Sequence, residues 1–188
     1  MEELKDYSGE FNPNLKLEEF SKDTLVSLWY ATCRLLAGLD GHWYNYIKEI
    51  LGEEATNEVN HKVWADMVPR ELRWIGKTMK IDGNDLEAFF KFQQVNPAIG
   101  GVCDIECDLK NKEYGTITFT RCPALDSCER HNWPGRLKFL CETDDRYFRK
   151  HTRHFNANIK TKSLKLPPRE SKDEIACKWE FKIESEKP

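Results

Sequence analysis

Long apolar runs are missing from this chain. The longest, Leu25 to Cys33, falls far short of the roughly 20 residues a membrane helix requires. The opening Met1-Glu2-Glu3-Leu4-Lys5-Asp6 does not read as a signal peptide, so a cytoplasmic protein with no membrane partner is expected. An excess of either charge is missing too: 29 Lys and Arg face 32 Asp and Glu, and the net charge of -3 gives no general pull toward nucleic acid. There is no Walker loop, G-x-G-x-x-G or G-x-S-x-G, which argues against the familiar nucleotide-binding and α/β-hydrolase solutions. No two cysteines stand at C-x2-C spacing, which disfavours a standard zinc finger. No internal repeat or long low-complexity segment occurs.

What is present suffices for a core. A chain of 188 residues can bury about 70% of the surface it exposes when unfolded. Aromatics make up 12% of it and can anchor that core although 32% of residues are charged. After an N-terminal arm (1–22), Asp23 is the expected cap of a long helix with Leu25, Trp29, Leu36, Leu39, Trp43, Ile47 and Ile50 at three- and four-residue steps. Gly38 and Gly41 suggest a bend, and Gly52 a stop. A second helix follows, with Pro69 permitting a break before Leu72, Ile75 and Met79 continue as a further helix. Asp85 caps a short helix that ends before Asn96-Pro97.

At Gly100-Gly101 the apolar period changes from 3.6 to 2. Cys103, Ile105, Cys107 and Leu109 alternate with acids, a turn follows at Asn111-Lys112-Glu113, and Ile117 and Phe119 lie on one face of the return strand. Two helices and two strands complete residues 101–188. The order predicts an α+β protein: an antiparallel four-stranded sheet with helices packed on one side and a helical N-terminal region (23–96), all in one domain.

Seven cysteines, an odd number at irregular spacing, leave three readings for each thiol: a small buried hydrophobe, a metal ligand or a reactive thiolate. Cys141 and Asp145 stand at i and i+4 of one helix, with Asp144 beside them, so a thiol and a carboxylate can touch one ligand. Arg121, His151 and His154 are candidates for a supporting charge. Convergence of Cys122, Cys141 and Cys177 would suit a soft metal, and leaves zinc or iron open as a cofactor. Cys103, Cys107 and Cys177 run in phase with core residues, and Cys33 lies among apolar ones, so packing also explains them. Glu58 and His61 have the spacing of a di-iron helix, but only one copy occurs.

The runs Arg121-Cys122-Pro123, Leu140-Cys141-Glu142-Thr143-Asp144-Asp145 and Ile175-Ala176-Cys177-Lys178-Trp179 resemble the three-cysteine layout of the aminothiazoline-carboxylate hydrolase-like proteins. Within that group the chain is most similar to an uncharacterised family of small bacterial and archaeal cytosolic proteins. The resemblance implies a hydrolase that opens the C–N bond of a small cyclic amidine or amide. It also implies Cys141 as the reactive thiol and Asp145 as the base or substrate-orienting group. Cys122, Asp144, Arg121, His154 and Cys177 are then the expected substrate-binding residues. The alternative is a non-catalytic, sensor-like module that binds a small molecule or metal through clustered cysteines, and a third reading is an interaction domain. The aromatic N-terminal helices offer a seam for a homodimer.

Overall fold

The structure is a computed structural model that describes residues 3–184. A short 3-10 turn, Leu17–Glu19, leads into α1 (Lys22–Leu51), α2 (Glu53–Met79) and α3 (Leu86–Val95). The hairpin β1 (Asp104–Asn111) and β2 (Tyr114–Arg121) follows, then α4 (Pro123–His131), α5 (Pro134–Phe155), β3 (Ile159–Lys165) and β4 (Cys177–Ile183). The four strands form one antiparallel sheet in the order β1-β2-β4-β3. This is the α+β architecture expected from the change of apolar period.

The core lies between the sheet and the helices α3 and α5. Along β4, Trp179 and Phe181 are fully buried while Lys182 between the strand's inward positions is exposed, the period-2 signature of a sheet covered on one face. Phe89 of α3 meets Phe181 at a ring-centroid distance of 4.8 Å, and Phe148 of α5 meets Trp179 at 5.3 Å. Truncating a ring packed this closely to alanine costs about 3–5 kcal/mol.

The helix boundaries differ from the sequence expectations in two places. Ser21, not Asp23, caps α1, its Oγ accepting from the Thr24 backbone N–H at 3.2 Å, and Asp23 lies in the first turn, where its charge suits the helix dipole. As expected, α1 is one long helix, continuous through Gly38 and Gly41. Burial of Cys33 and Tyr44 on either side holds the helix together against the roughly 1 kcal/mol each glycine costs. Pro69 does not divide α2, which runs unbroken to Met79. Proline removes the N–H that would bond the Ala65 carbonyl, and Lys150 Nζ of α5 donates to that carbonyl in its place. The replacement bond also ties α2 to α5.

The arm docks onto the start of α1. Leu4 forms a parallel bridge with Phe20, and Thr24 Oγ1 donates to the Lys5 carbonyl at 2.8 Å. Leu28, Leu35, Leu39, Tyr46 and Ile50 stay exposed along one stripe of α1, away from the side that buries Cys33 and Tyr44. No helix among the described residues is long and apolar enough to cross a membrane.

Candidate functional site

Cys103 precedes β1 and Cys122 follows β2. Because Asp104 pairs with Arg121, extending the register by one residue sets the two cysteines opposite each other at the open end of the hairpin. Cys177 begins β4 across from Phe119, on the same end of the sheet. From α5, Cys141 and Asp144 project toward these thiols one helical turn apart. Four thiols and one carboxyl group are thus gathered where the sheet, the start of α4 and the middle of α5 meet. All five residues keep partial exposure.

Their surroundings treat them unequally. The Cys103 S–H donates toward the Cys122 sulfur, which lowers the Cys122 pKa to about 7 against the opposing effect of burial. The backbone N–H groups of Leu125 and Ala124, at the first turn of α4, add to that stabilisation. Cys122 is the N-cap residue of α4, the position at which a helix favours a thiolate. The other sulfurs move the opposite way. Burial, reinforced by the Asp144 charge, pushes Cys141 up to about 12 and raises Cys177 as well. Cys103 is raised by the proton it gives to Cys122 and by burial. Asp144 is itself pushed up to about 7, first by burial and then by the negative charge of Cys122.

Beside the cluster lies a cleft of about 550 Å³. Tyr30 and Arg34 of α1, Gln94 of α3, the turn Gly100–Cys103, Asp104, Ile105 and Arg121 line it. The turn is compact because residues 100 and 101 are glycine. A Cβ on Gly100 would stand 2.2 Å from the Gln94 carbonyl oxygen, and one on Gly101 2.6 Å from Cys33 Sγ.

The sequence-level candidates therefore divide. Cys122, Cys141, Cys177 and Asp144 come together, and Arg121 lines the adjoining cleft. Asp145 does not join them: its Oδ2 accepts from Arg149 Nε at 2.7 Å, and Arg149 also reaches the Thr161 carbonyl of β3 at 3.4 Å. His154 is exposed at the end of α5, thirteen residues and roughly 20 Å along the axis from Cys141. His151 is buried, with Nε2 3.1 Å from Glu71 Oε2. Glu58 is committed to Lys62 at 2.6 Å, and His61 Nε2 lies 3.1 Å from Thr143 Oγ1, so that pair is used in packing. The residue that the sequence assigned to packing is Cys103. Its signal was its place one residue outside the first pair of the hairpin. Among the described residues no group of three or more His, Cys, Asp or Glu side chains is arranged to hold a metal.

The class the fold defines is α+β: a half-wrapped antiparallel sheet with thiols and a carboxyl group near one end. Residues 35–164, more than two thirds of the chain, match the family model described as L-2-amino-thiazoline-4-carboxylic acid hydrolase, and the chain belongs to that family. No curated protein matches the chain at a significant level. No solved structure does so either.

Proposed function

We propose that this protein is a small-molecule hydrolase that opens a cyclic amidine or amide, with Cys122 as nucleophile and Asp144 as proton donor. The observation that carries the reading is the contrast among the thiols. One of four is held near a pKa of 7 at a helix N-terminus, beside a carboxyl group held near the same value. Spacing alone favours Cys141 and Asp145 for these roles. Their surroundings favour the other pair, since Cys141 is kept protonated and Asp145 is engaged by Arg149.

In the proposed reaction the Cys122 thiolate adds to the amidine carbon while Asp144 gives its proton to the ring nitrogen. The C–N bond opens, and water then adds to the same carbon and expels Cys122. The oxygen of water becomes the new carbonyl oxygen, and its two hydrogens end on the expelled ring nitrogen. The protonated thiols of Cys141 and Cys177 stand near Cys122 and would serve as weak donors and apolar surface. For a thiazoline the ring sulfur is the other atom that can leave, one hydrogen then going to sulfur and one to nitrogen.

The test is incubation with L-2-aminothiazoline-4-carboxylate, following the product by mass and any new thiol by a chromogenic reagent. Turnover that disappears in Cys122→Ala and persists in Cys141→Ala supports the reading, and full turnover in Cys122→Ala defeats it. Stoichiometric binding with no product would instead indicate a binding module.

The stripe on α1 is the proposed homodimer seam. Leu28 and Ile50 stand equally far from Leu39, so a two-fold axis at Leu39 sets Leu28 of one copy against Ile50 of the other. Light scattering on the native chain and on Leu39→Glu decides it, a dimer that the charge converts to monomer being the expected result.

A further inference from the structure

Two of the clustered sulfurs face each other across the open end of the hairpin. Asp104 pairs with Arg121, so Cys103 and Cys122 take the next facing position of the ladder. Facing residues of an antiparallel pair have Cα atoms about 4.5–5.5 Å apart, inside the range of about 4.4–6.8 Å that a disulfide spans. Their side chains leave the hairpin on one side, since the Cys103 S–H is directed at the Cys122 sulfur. Local bonds hold the backbone on both sides of the pair. The Cys103 N–H donates to the Ile99 carbonyl at 2.8 Å, Thr120 Oγ1 donates to the Asp104 carbonyl at 3.1 Å, and the Asp126 N–H donates to the Cys122 carbonyl at 3.0 Å. The sulfurs can therefore close on each other by side-chain rotation about a fixed frame.

Both thiols are free, and both keep partial exposure. Cys103 also lines the cleft of about 550 Å³, which gives a small molecule a way to the pair. Oxidation of cysteine follows thiolate character and access, and a second thiol alongside turns the first product into a disulfide. Cys122 is the sulfur of the cluster that its surroundings ionise, and Cys103 is the thiol in contact with it. Cys141 and Cys177 arrive from α5 and from the start of β4 and are held protonated, so they compete poorly for either role.

We propose that Cys103 and Cys122 are a site of reversible oxidation, at which a hydroperoxide joins them as a cross-strand disulfide and so takes the hydrolase out of action. The Cys122 thiolate attacks one peroxide oxygen and the O–O bond breaks. Cys122 becomes a sulfenic acid, oxidised by two electrons, and the leaving oxygen takes the Asp144 proton and departs as an alcohol, or as water where the oxidant is hydrogen peroxide. The Cys103 sulfur then attacks the Cys122 sulfur, the S–O bond breaks, and the hydroxide leaves as water with the Cys103 proton. A small dithiol reverses the result, becoming a disulfide itself and returning one proton to each cysteine. The disulfide rests on the hairpin geometry; its effect on turnover rests on the hydrolase reading, in which Cys122 is the nucleophile.

The experiment treats the fully reduced native chain with hydrogen peroxide, blocks remaining thiols with iodoacetamide and maps the peptides by mass without reduction, with fragmentation to place each sulfur. The expected product is a Cys103–Cys122 link that dithiothreitol removes. Cys103→Ser should instead leave a sulfenic acid on Cys122 that dimedone captures, while Cys141→Ala and Cys177→Ala should keep the link. A link from Cys122 to Cys141 or Cys177, a Cys122 that stays reduced, or one that passes to sulfinic acid with Cys103 still free overturns the site. Turnover of L-2-aminothiazoline-4-carboxylate, followed on the same samples, should fall in proportion to the linked fraction and return with dithiothreitol. A link that forms in a chain without turnover keeps the oxidation site and removes the hydrolase, and turnover in a chain that forms no link does the reverse.

Discussion

The sulfur of Cys122, at the start of α4, and the carboxyl group of Asp144, in the middle of α5, lie close enough that the charge of the first raises the pKa of the second. One group is lowered to about 7 and the other raised to about 7, so near neutrality the pair holds close to a single proton. A thiolate beside a protonated acid is the state the proposed reaction begins from. It is favoured only while the pair keeps that proton, so turnover should peak near neutral pH and fall on both sides.

Alkylation by iodoacetamide, read residue by residue by peptide mass, should show Cys122 reacting with a half-maximal rate near pH 7. An ordinary cysteine titrates at about 8.5. Cys141, held near 12, should lag far behind it. Cys103→Ala removes the donor that contributes most to the low value, so the Cys122 profile should move to higher pH in that variant. An unmoved profile would assign the shift to the helix N-terminus alone.

Asp144→Asn should weaken catalysis and strengthen the fold. In the folded chain Asp144 keeps its proton up to about pH 7, and in the unfolded chain it loses it near 3.8. The folded state binds more protons across that window, so the contribution of Asp144 to stability is complete below about pH 4 and is lost as the pH rises through 7. Asparagine has no such slope. Urea unfolding should therefore show the variant gaining on the native chain between about pH 4 and about pH 8, by on the order of a few kcal/mol. Turnover should drop by about a hundredfold or more. His151 is depressed by burial and contributes with the opposite sign, but it is present in both proteins and cancels in the difference.

The architecture was legible because it is written in local patterns: the change of period at Gly100-Gly101, the Asp85 cap and the alternation in β4 each specify their own element. The continuity of α2 was not, because the donor that replaces the N–H missing at Pro69 is Lys150, on a distant helix. The site was legible in part for the same reason. Spacing brings both Asp144 and Asp145 within reach of Cys141, and consecutive helical residues point about 100° apart, so only the packing of α5 decides which faces the thiols. Which cysteine ionises depends on Cys103 across the hairpin and on the backbone of α4, neither of which a motif displays.

Pro69 and Lys150 form a testable pair. Lys150→Met leaves the Ala65 carbonyl without a donor in the native chain and should cost about 1–2 kcal/mol. Pro69→Ala supplies the missing backbone N–H, so the lysine becomes redundant and the same Lys150→Met change should then cost close to nothing. A double-mutant cycle by chemical denaturation reads the difference, and additive effects would show that the lysine does not substitute for the helix bond.

Glu71 holds the second polar assembly of the interior, and its removal should damage stability before it damages chemistry. Its Oε2 accepts from the Tyr147 hydroxyl at 2.7 Å and lies 3.1 Å from His151 Nε2, while Asn96 Nδ2 donates to the same tyrosine oxygen at 3.1 Å. These bonds join α2 to α5 and the end of α3, the two helices that cover the sheet. His151 carries its proton on Nε2, facing the carboxylate, because Nδ1 has no partner. In Glu71→Ala the tyrosine hydroxyl and the imidazole N–H both lose their acceptor in a buried site, which should cost about 3–5 kcal/mol. Glu71→Gln keeps an acceptor oxygen and should recover part of that loss. Tyr147 lies one turn from Asp144 on α5, so a displaced α5 would also shift Asp144 relative to Cys122. If thermal melting shows the expected loss while alkylation of Cys122 keeps its pH profile below the melt, Glu71 acts on the scaffold alone. A profile that moves with the substitution would make the buried network a positioning element for the cysteine site.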